Sequence, residues 1–470
     1  MSRVKSLFIL IAICLLVLAL AACNGKQAAS PTPLPPTATI APPTNTPLPT
    51  DTPTPTATAT PTDTPTPTPE IPPEMSAEMD AIAEQISTIR GLTLGEDFVV
   101  EVFTQDELDD YVTNLLQEEY PEDESFRDLV TLSYLGLISP YFDLPAFFAD
   151  YYAEQSFGFY DLEGDRMVLL QGVELDPLGR LSYAVGIAQA GLDQTVDLDG
   201  ALGFNDASCD QTPDRCSALR ALIAGDASFT SALWMLANLS PAEQAEIAAQ
   251  SEQASQDSVI ASAPLFFQED YAFPATVGIE FVSYLYQQGG WAAVDQAYQD
   301  PPQSTEHIMH PDRYPADIPL EVTLPDLLPV LGEGWMLLDE NTLGEWALML
   351  VLTSGVDPAA RQETQAALAA VNGWGGDRYQ TYLNMDTGEV MLVSKIQWDS
   401  AAEAQEYYNL LGTHISARFD LDDSETELID MFDYLLLGYA QWQWEEDTTY
   451  YVLAPSEAVS SAVLAAVVGE

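Results

Sequence analysis

The stretch Leu181-Ser182-Tyr183-Ala184-Val185-Gly186-Ile187-Ala188-Gln189-Ala190-Gly191-Leu192 reads as an amphipathic helix. Just upstream, Phe157–Tyr160 and Met167–Leu170 flank the turn Leu162-Glu163-Gly164-Asp165, the pattern of a β-hairpin. A hairpin feeding a helix sits at the centre of a largely helical series. Helices are expected over Ala77–Arg90, Gln105–Glu119 with Thr104 as its cap, Glu124–Ile138 and Leu144–Gln155. More follow over Cys216–Leu236, Pro241–Ser255, Phe273–Gln287 and Ala292–Tyr298, and Phe98–Phe103 alternates like a strand. After Trp335 the texture changes. Helices over Leu343–Leu352 and Ala359–Ala370 precede strands at Arg378–Leu383 and Val390–Gln397, around Asp386-Thr387-Gly388. The helix Ala401–Phe419, the strand pair Leu435–Trp444 and Tyr450–Leu453, and the helix Ser456–Val468 complete a β-β-α pattern used twice. The expected class is α+β, mainly α, with a small C-terminal α+β domain over residues 336–470 behind a helical body over residues 74–335.

Composition narrows the partners. The chain has 470 residues, with 14 Lys+Arg against 73 Asp+Glu and a formal net charge of -59. Such a surface repels phosphate backbones and anionic lipid, so nucleic-acid binding and an electrostatic membrane patch are both excluded. Hydrophobic residues make up 47%, enough for a sizeable core. Only three histidines occur, His307, His310 and His414, which limits histidine chemistry from the outset.

The N-terminus reads as an export signal: Arg3 and Lys5, an apolar run from Leu7 to Leu20, then small residues. Leu20-Ala21-Ala22-Cys23 resembles a bacterial lipobox, which implies a signal peptide over residues 1–22 and a lipid on Cys23. From Ser30 to Pro73 the chain is a Thr-Pro-rich repeat with no apolar face. It is expected to be a stalk, residues 23–73, holding an acidic body away from an anionic membrane. The membrane partner is then the lipid on Cys23, on the extracytoplasmic side. In that oxidising setting Cys209 and Cys216, with six residues between them, are expected to form a local disulfide.

The body resembles extracytoplasmic zinc metallopeptidases of the gluzincin type. Glu154-Gln155-Ser156-Phe157-Gly158-Phe159-Tyr160-Asp161 is similar to the family's hairpin before the active-site helix. Gln189-Ala190-Gly191-Leu192-Asp193-Gln194 followed by Asp197-Leu198 resembles the end of that helix. Arg220-Ala221-Leu222-Ile223-Ala224-Gly225-Asp226-Ala227 resembles a later helix. Gly289-Gly290-Trp291, Pro301 through Glu306, His310-Pro311, Tyr314 and Gly373 through Arg378 add weaker likenesses in the same order. The resemblance implies two histidines one helical turn apart on zinc, a glutamate as general base after the first, and a glutamate from the later helix as third ligand. At those positions this chain carries Val185, Gly186, Gln189 and Ala224. Valine and alanine cannot ligate, Gln189 offers a neutral oxygen that suits zinc poorly, and Gly186 cannot take a proton from water. The expectation is a pseudoenzyme with no catalytic residues, no metal and no cofactor. Its old groove, between the Gly158–Leu170 hairpin and the Tyr183–Leu192 helix, is the expected place for a peptide or protein segment. The alternatives are a structural envelope protein with that groove filled, or an active exported hydrolase working through a different site.

Other candidates are weaker. His307 and His310 with Glu306 make a loose metal-ligand spacing and read better as capping or core-edge histidines. Asp197-Leu198-Asp199-Gly200 and Asp420-Leu421-Asp422-Asp423 lack the full loop of a calcium hand and read as solvated turns. Ser182 and Ser228 have no histidine paired with them, and no Gly-x-Ser-x-Gly elbow is present.

Overall fold

The computed structural model describes residues 71–95, 98–419, 429–430 and 437–469. The export signal, Cys23, the Thr-Pro stretch through residue 70 and the Asp420–Asp423 cluster lie outside the described residues.

The chain is α+β and mainly α. Helix α1 (Pro73–Arg90) begins with Pro73, whose missing N–H costs nothing in a first turn, and Gly91 closes it at φ 83°. Its Met79, Ile82 and Ile86 recur at helical spacing and are buried. Strand β1 (Val99–Phe103) leads into α2 (Gln105–Glu119), where Thr104 and Glu107 form a capping box. Helices α3 (Glu122–Tyr134) and α4 (Leu144–Ala153) follow, then β2 (Gly158–Asp161), β3 (Arg166–Leu170) and α5 (Pro177–Val196). The hairpin gains a third strand, because β1 pairs parallel to β3 and gives the order β1-β3-β2. The intervening helices supply the crossover that parallel pairing requires.

Helix α6 (Asp206–Gln211) is tied to α7 (Pro213–Asn238) by the Cys209–Cys216 disulfide. Helices α8 (Pro241–Asp257), α9 (Val259–Ser262), α10 (Leu265–Gly289), α11 (Trp291–Gln299), α12 (Thr305–Met309) and α13 (Leu328–Leu331) complete the helical part. The second part holds β4 (Trp335–Asn341), α14 (Gly344–Thr353), α15 (Thr364–Val371), β5 (Trp374–Asn384), β6 (Val390–Trp398) and α16 (Ala401–Arg418). Strands β7 (Ile429–Asp430), β8 (Leu437–Glu445) and β9 (Thr448–Ala454) and helix α17 (Glu457–Val468) end it. The antiparallel sheet runs β4-β5-β6-β9-β8-β7. Alternate residues face opposite ways along each strand. Leu392, Ile396 and Leu453 pack with Tyr407 and Leu411 of α16, whereas Met391, Val393 and Val452 pack with Val463 and Val467 of α17.

Several boundaries differ from the sequence reading. Helix α3 stops at Tyr134, four residues before Ile138, because Gly136 adopts φ 83°. Helix α15 starts at Thr364 and not Ala359, since Asp357 folds the preceding residues into a turn through Ala359 N (2.9 Å). Helix α10 begins at Leu265 and runs through Pro274, where the sequence suggests a start at Phe273. Strand β4 has no counterpart in the sequence reading: it is a half-exposed edge strand whose residues do not alternate cleanly.

Candidate functional site

Val185, Gly186 and Gln189 lie on α5, and Ala224 lies on α7. Asp176 caps α5 by accepting from Gly179 N at 2.8 Å, and Pro177 follows in the first turn. Val185 and Gln189 are each 3% exposed and Ala224 is 1% exposed. The space beside Gly186 is taken by Met167 of β3: a Cβ on Gly186 would lie 2.7 Å from the Met167 sulfur. Met167, Leu169, Leu181, Val185 and Phe157 belong to one apolar cluster. The groove expected between hairpin and helix is therefore filled. With no polar side chain at Gly186, a flexible thioether occupies the volume between strand and helix.

Further along α7, Asp226 is fully buried and held by Arg90 of α1 in a bidentate pair, Nε to Oδ1 and Nη2 to Oδ2 each at 2.9 Å. Tyr298 and Thr230 hydroxyls donate to the same carboxylate at 3.1 and 3.2 Å. Arg90 also meets Asp295 at 2.7 Å and stacks under Trp291. Asp226 thus locks three helices together. Arg90 carries no motif, so only the fold could identify it.

The histidines do not converge. His307 accepts from Gln303 N at 3.1 Å and donates to the Asp317 carbonyl, while His310 bonds Glu345 at 2.9 Å. Around them the carboxylate oxygens of Glu306, Asp317 and Asp399 lie within 4.8 Å of one another, and Arg313 reaches Glu306 at 2.6 Å. Burial, then the charges of Glu345 and Asp317, push Glu306 up to about 8 in spite of Arg313. Ser182 and Ser228 are buried within α5 and α7. Asp197 closes a turn by accepting from Gly200 N at 2.9 Å.

The open space lies elsewhere. A cavity of about 310 Å3 opens where β4 meets the helical part, between α3, the α6–α7 corner, α10 and α14. Arg127 and Asp128 come from α3, Asp210 from α6, Asp270 from α10, and Asp339 and Glu340 from β4. The disulfide brackets Asp210 and Pro213 on one wall. Asn341 of β4 donates to the Asp210 carbonyl at 2.7 Å. Asp270 accepts from Trp346 Nε1 at 3.2 Å and from Arg220 at 3.1 Å, and Asp339 accepts from the Tyr379 hydroxyl at 2.7 Å. A β-bulge between Leu337 and Asp339 sets the aim of the β4 side chains here. No motif marks this cavity, because its walls come from segments far apart in an evenly acidic sequence.

A family model described as a domain of unknown function, DUF8575, matches residues 336–464. No curated protein matches the chain. No solved structure matches it either.

Proposed function

We propose that this chain is a lipoprotein anchored through Cys23 on the extracytoplasmic side of the membrane, with a degenerate gluzincin-like body that binds a ligand and does not hydrolyse peptides. The observation that carries this reading is the packing at Gly186. Where the family resemblance implies a catalytic glutamate, the Met167 side chain fills the space, and Val185, Gln189 and Ala224 around it are buried without a zinc-binding set. The cavity beside β4 supports a binding role. Its volume of about 310 Å3 falls in the range of small-ligand pockets, and it joins aromatic walls to convergent polar groups.

The test has two arms. Protein purified without chelator is expected to contain no stoichiometric zinc by elemental analysis and to cleave no peptide in a library assay. One zinc per chain with chelator-sensitive cleavage would show an active peptidase instead. Mass spectrometry of the mature N-terminus is expected to find a diacylglyceryl cysteine at Cys23. A mature chain starting at any other residue would remove the anchor from this reading.

A further inference from the structure

The charged groups lining the β4 cavity are mostly acidic. The lining carries five carboxylates, Asp128, Asp210, Asp270, Asp339 and Glu340, against one guanidinium, Arg127. Arg220 and Arg378 answer Asp270 and Glu340 from outside the lining, at 3.1 Å each. The remaining walls mix apolar and aromatic side chains, among them Phe266 of α10, Trp346 of α14 and Tyr379 of β5, with neutral polar groups such as Thr305 and Asn341. Carboxylates set among aromatic side chains suit a positively charged organic group, which can gain both ion pairing and cation–π attraction.

The spread of the carboxylates decides between a metal and an organic cation. A hard metal ion needs several oxygens gathered about 2.3–2.6 Å from one point. Among the described residues, three-carboxylate groupings tight enough for that occur at Glu119, Glu163 and Asp206 and at Glu306, Asp317 and Asp399, neither of which lines this cavity. The cavity acids instead sit on four separate elements. Such an arrangement fits a ligand with separated positive groups and an aliphatic middle.

We propose that this cavity binds an organic cation bearing amino or guanidino groups, either a free polyamine or a basic peptide side chain; the proposal rests on the binding role given above and names its ligand class. Leu337 is 38% exposed at the cavity, so Leu337→Trp fills the space without changing any charge and with little demand on the core. Asp339→Asn removes one wall charge and keeps an oxygen for the Tyr379 hydroxyl.

The experiment is calorimetric titration of the full chain at about 0.15 M salt, where long-range attraction to an acidic surface is largely screened. The probes are spermidine, the dipeptide Arg-Lys, the dipeptide Glu-Glu, maltose and calcium chloride. The expected result is one-to-one binding of spermidine or Arg-Lys, abolished by Leu337→Trp and weakened about tenfold by Asp339→Asn. Spermidine alone would identify a free polyamine, and Arg-Lys alone a basic side chain. Multiple weak binding unchanged by Leu337→Trp would be surface attraction and would overturn the proposal, as would no binding of either cation. Cavity-dependent binding of maltose, Glu-Glu or calcium would overturn the ligand class while leaving the binding role intact. Zinc-dependent cleavage would instead bring down the role itself.

Discussion

At the scale of single residues, the burial of His414 couples the fold to pH. The ring is buried on α16, and its Nδ1 donates to the Ala360 carbonyl at 3.0 Å. His414, Ser394 and Tyr451 line one small cavity, and Nε2 and the two hydroxyls have no hydrogen-bond partner among the described residues. The cavity volume of about 30 Å3 has room for one water. Burial, then the nearby charge of Arg418, push His414 down to about 4. The unfolded ring takes a proton near pH 6.5 while the folded ring resists until about pH 4, so this stability is present above 6.5 and lost between those values. The full loss is on the order of 3 kcal/mol, since each tenfold change in the ring's proton affinity is worth about 1.4 kcal/mol. Urea unfolding of the native chain is expected to weaken by that much more between pH 7 and 4 than unfolding of His414→Leu. Parallel curves would mean that the ring already titrates normally in the fold. Nothing in the local sequence shows this. His414 looks like an ordinary helical residue, and its acceptor lies 54 positions away.

At the scale of elements, local pattern and long-range packing part company. Helices α5 and α7 and the β2–β3 hairpin are legible because apolar spacing and the Gly164-Asp165 turn act over a few residues. The disulfide is legible for the same reason, its cysteines being close in sequence. Strand β4 is not, since two successive leucines interrupt its alternation at the bulge. Arg90 is hidden because its partner Asp226 lies 136 positions away. The packing of Met167 against Gly186 is likewise visible only in the fold, since the two lie on different elements. Gly225, beside Asp226, also acquires its reason there. Helices α7 and α10 cross so closely that a Cβ on Gly225 would lie 2.4 Å from the Gly278 carbonyl oxygen, and a Cβ on Gly278 would lie 2.3 Å from the Ala221 oxygen. Backbone cannot yield as a side-chain tip does. Gly225→Ala is therefore expected to destabilise by about 1–3 kcal/mol despite the better helix propensity of alanine, because it overpacks a rigid contact. Thermal unfolding measures this directly, and an unchanged or raised midpoint would show that the two helices can separate at little cost.

At the scale of the whole molecule, the question is whether the family match over residues 336–464 marks a unit that stands alone. The packing argues for dependence. One apolar cluster joins Leu108, Leu222 and Phe281 of the helical part to Trp374, Leu392 and Leu453 of the sheet part. Trp346 of α14 stacks on Phe273 of α10 with ring centroids 4.3 Å apart, and its backbone N–H donates to Thr305 of α12. Thr305 in turn donates to Asp214 at the start of α7 at 2.6 Å. His310 reaches the buried Glu345 in the same region. The cavity beside β4 lies on this seam, so its walls exist only while both parts are docked. Cutting at residue 335 would expose the Trp346 and Phe273 rings, and burying a large apolar side chain is worth roughly 1.5–3 kcal/mol. It would also strip partners from Thr305, His310 and Glu345, groups that are costly to leave buried and unpaired. The expected outcome is one cooperative unfolding transition for the full chain, with tryptophan fluorescence and far-UV circular dichroism coincident. An isolated 336–470 fragment is expected to unfold at a clearly lower denaturant midpoint. Two resolved transitions, or a fragment matching the midpoint of the full chain, would show that the seam is a docking surface between independent domains. The cavity beside β4 would then be an interdomain cleft able to open.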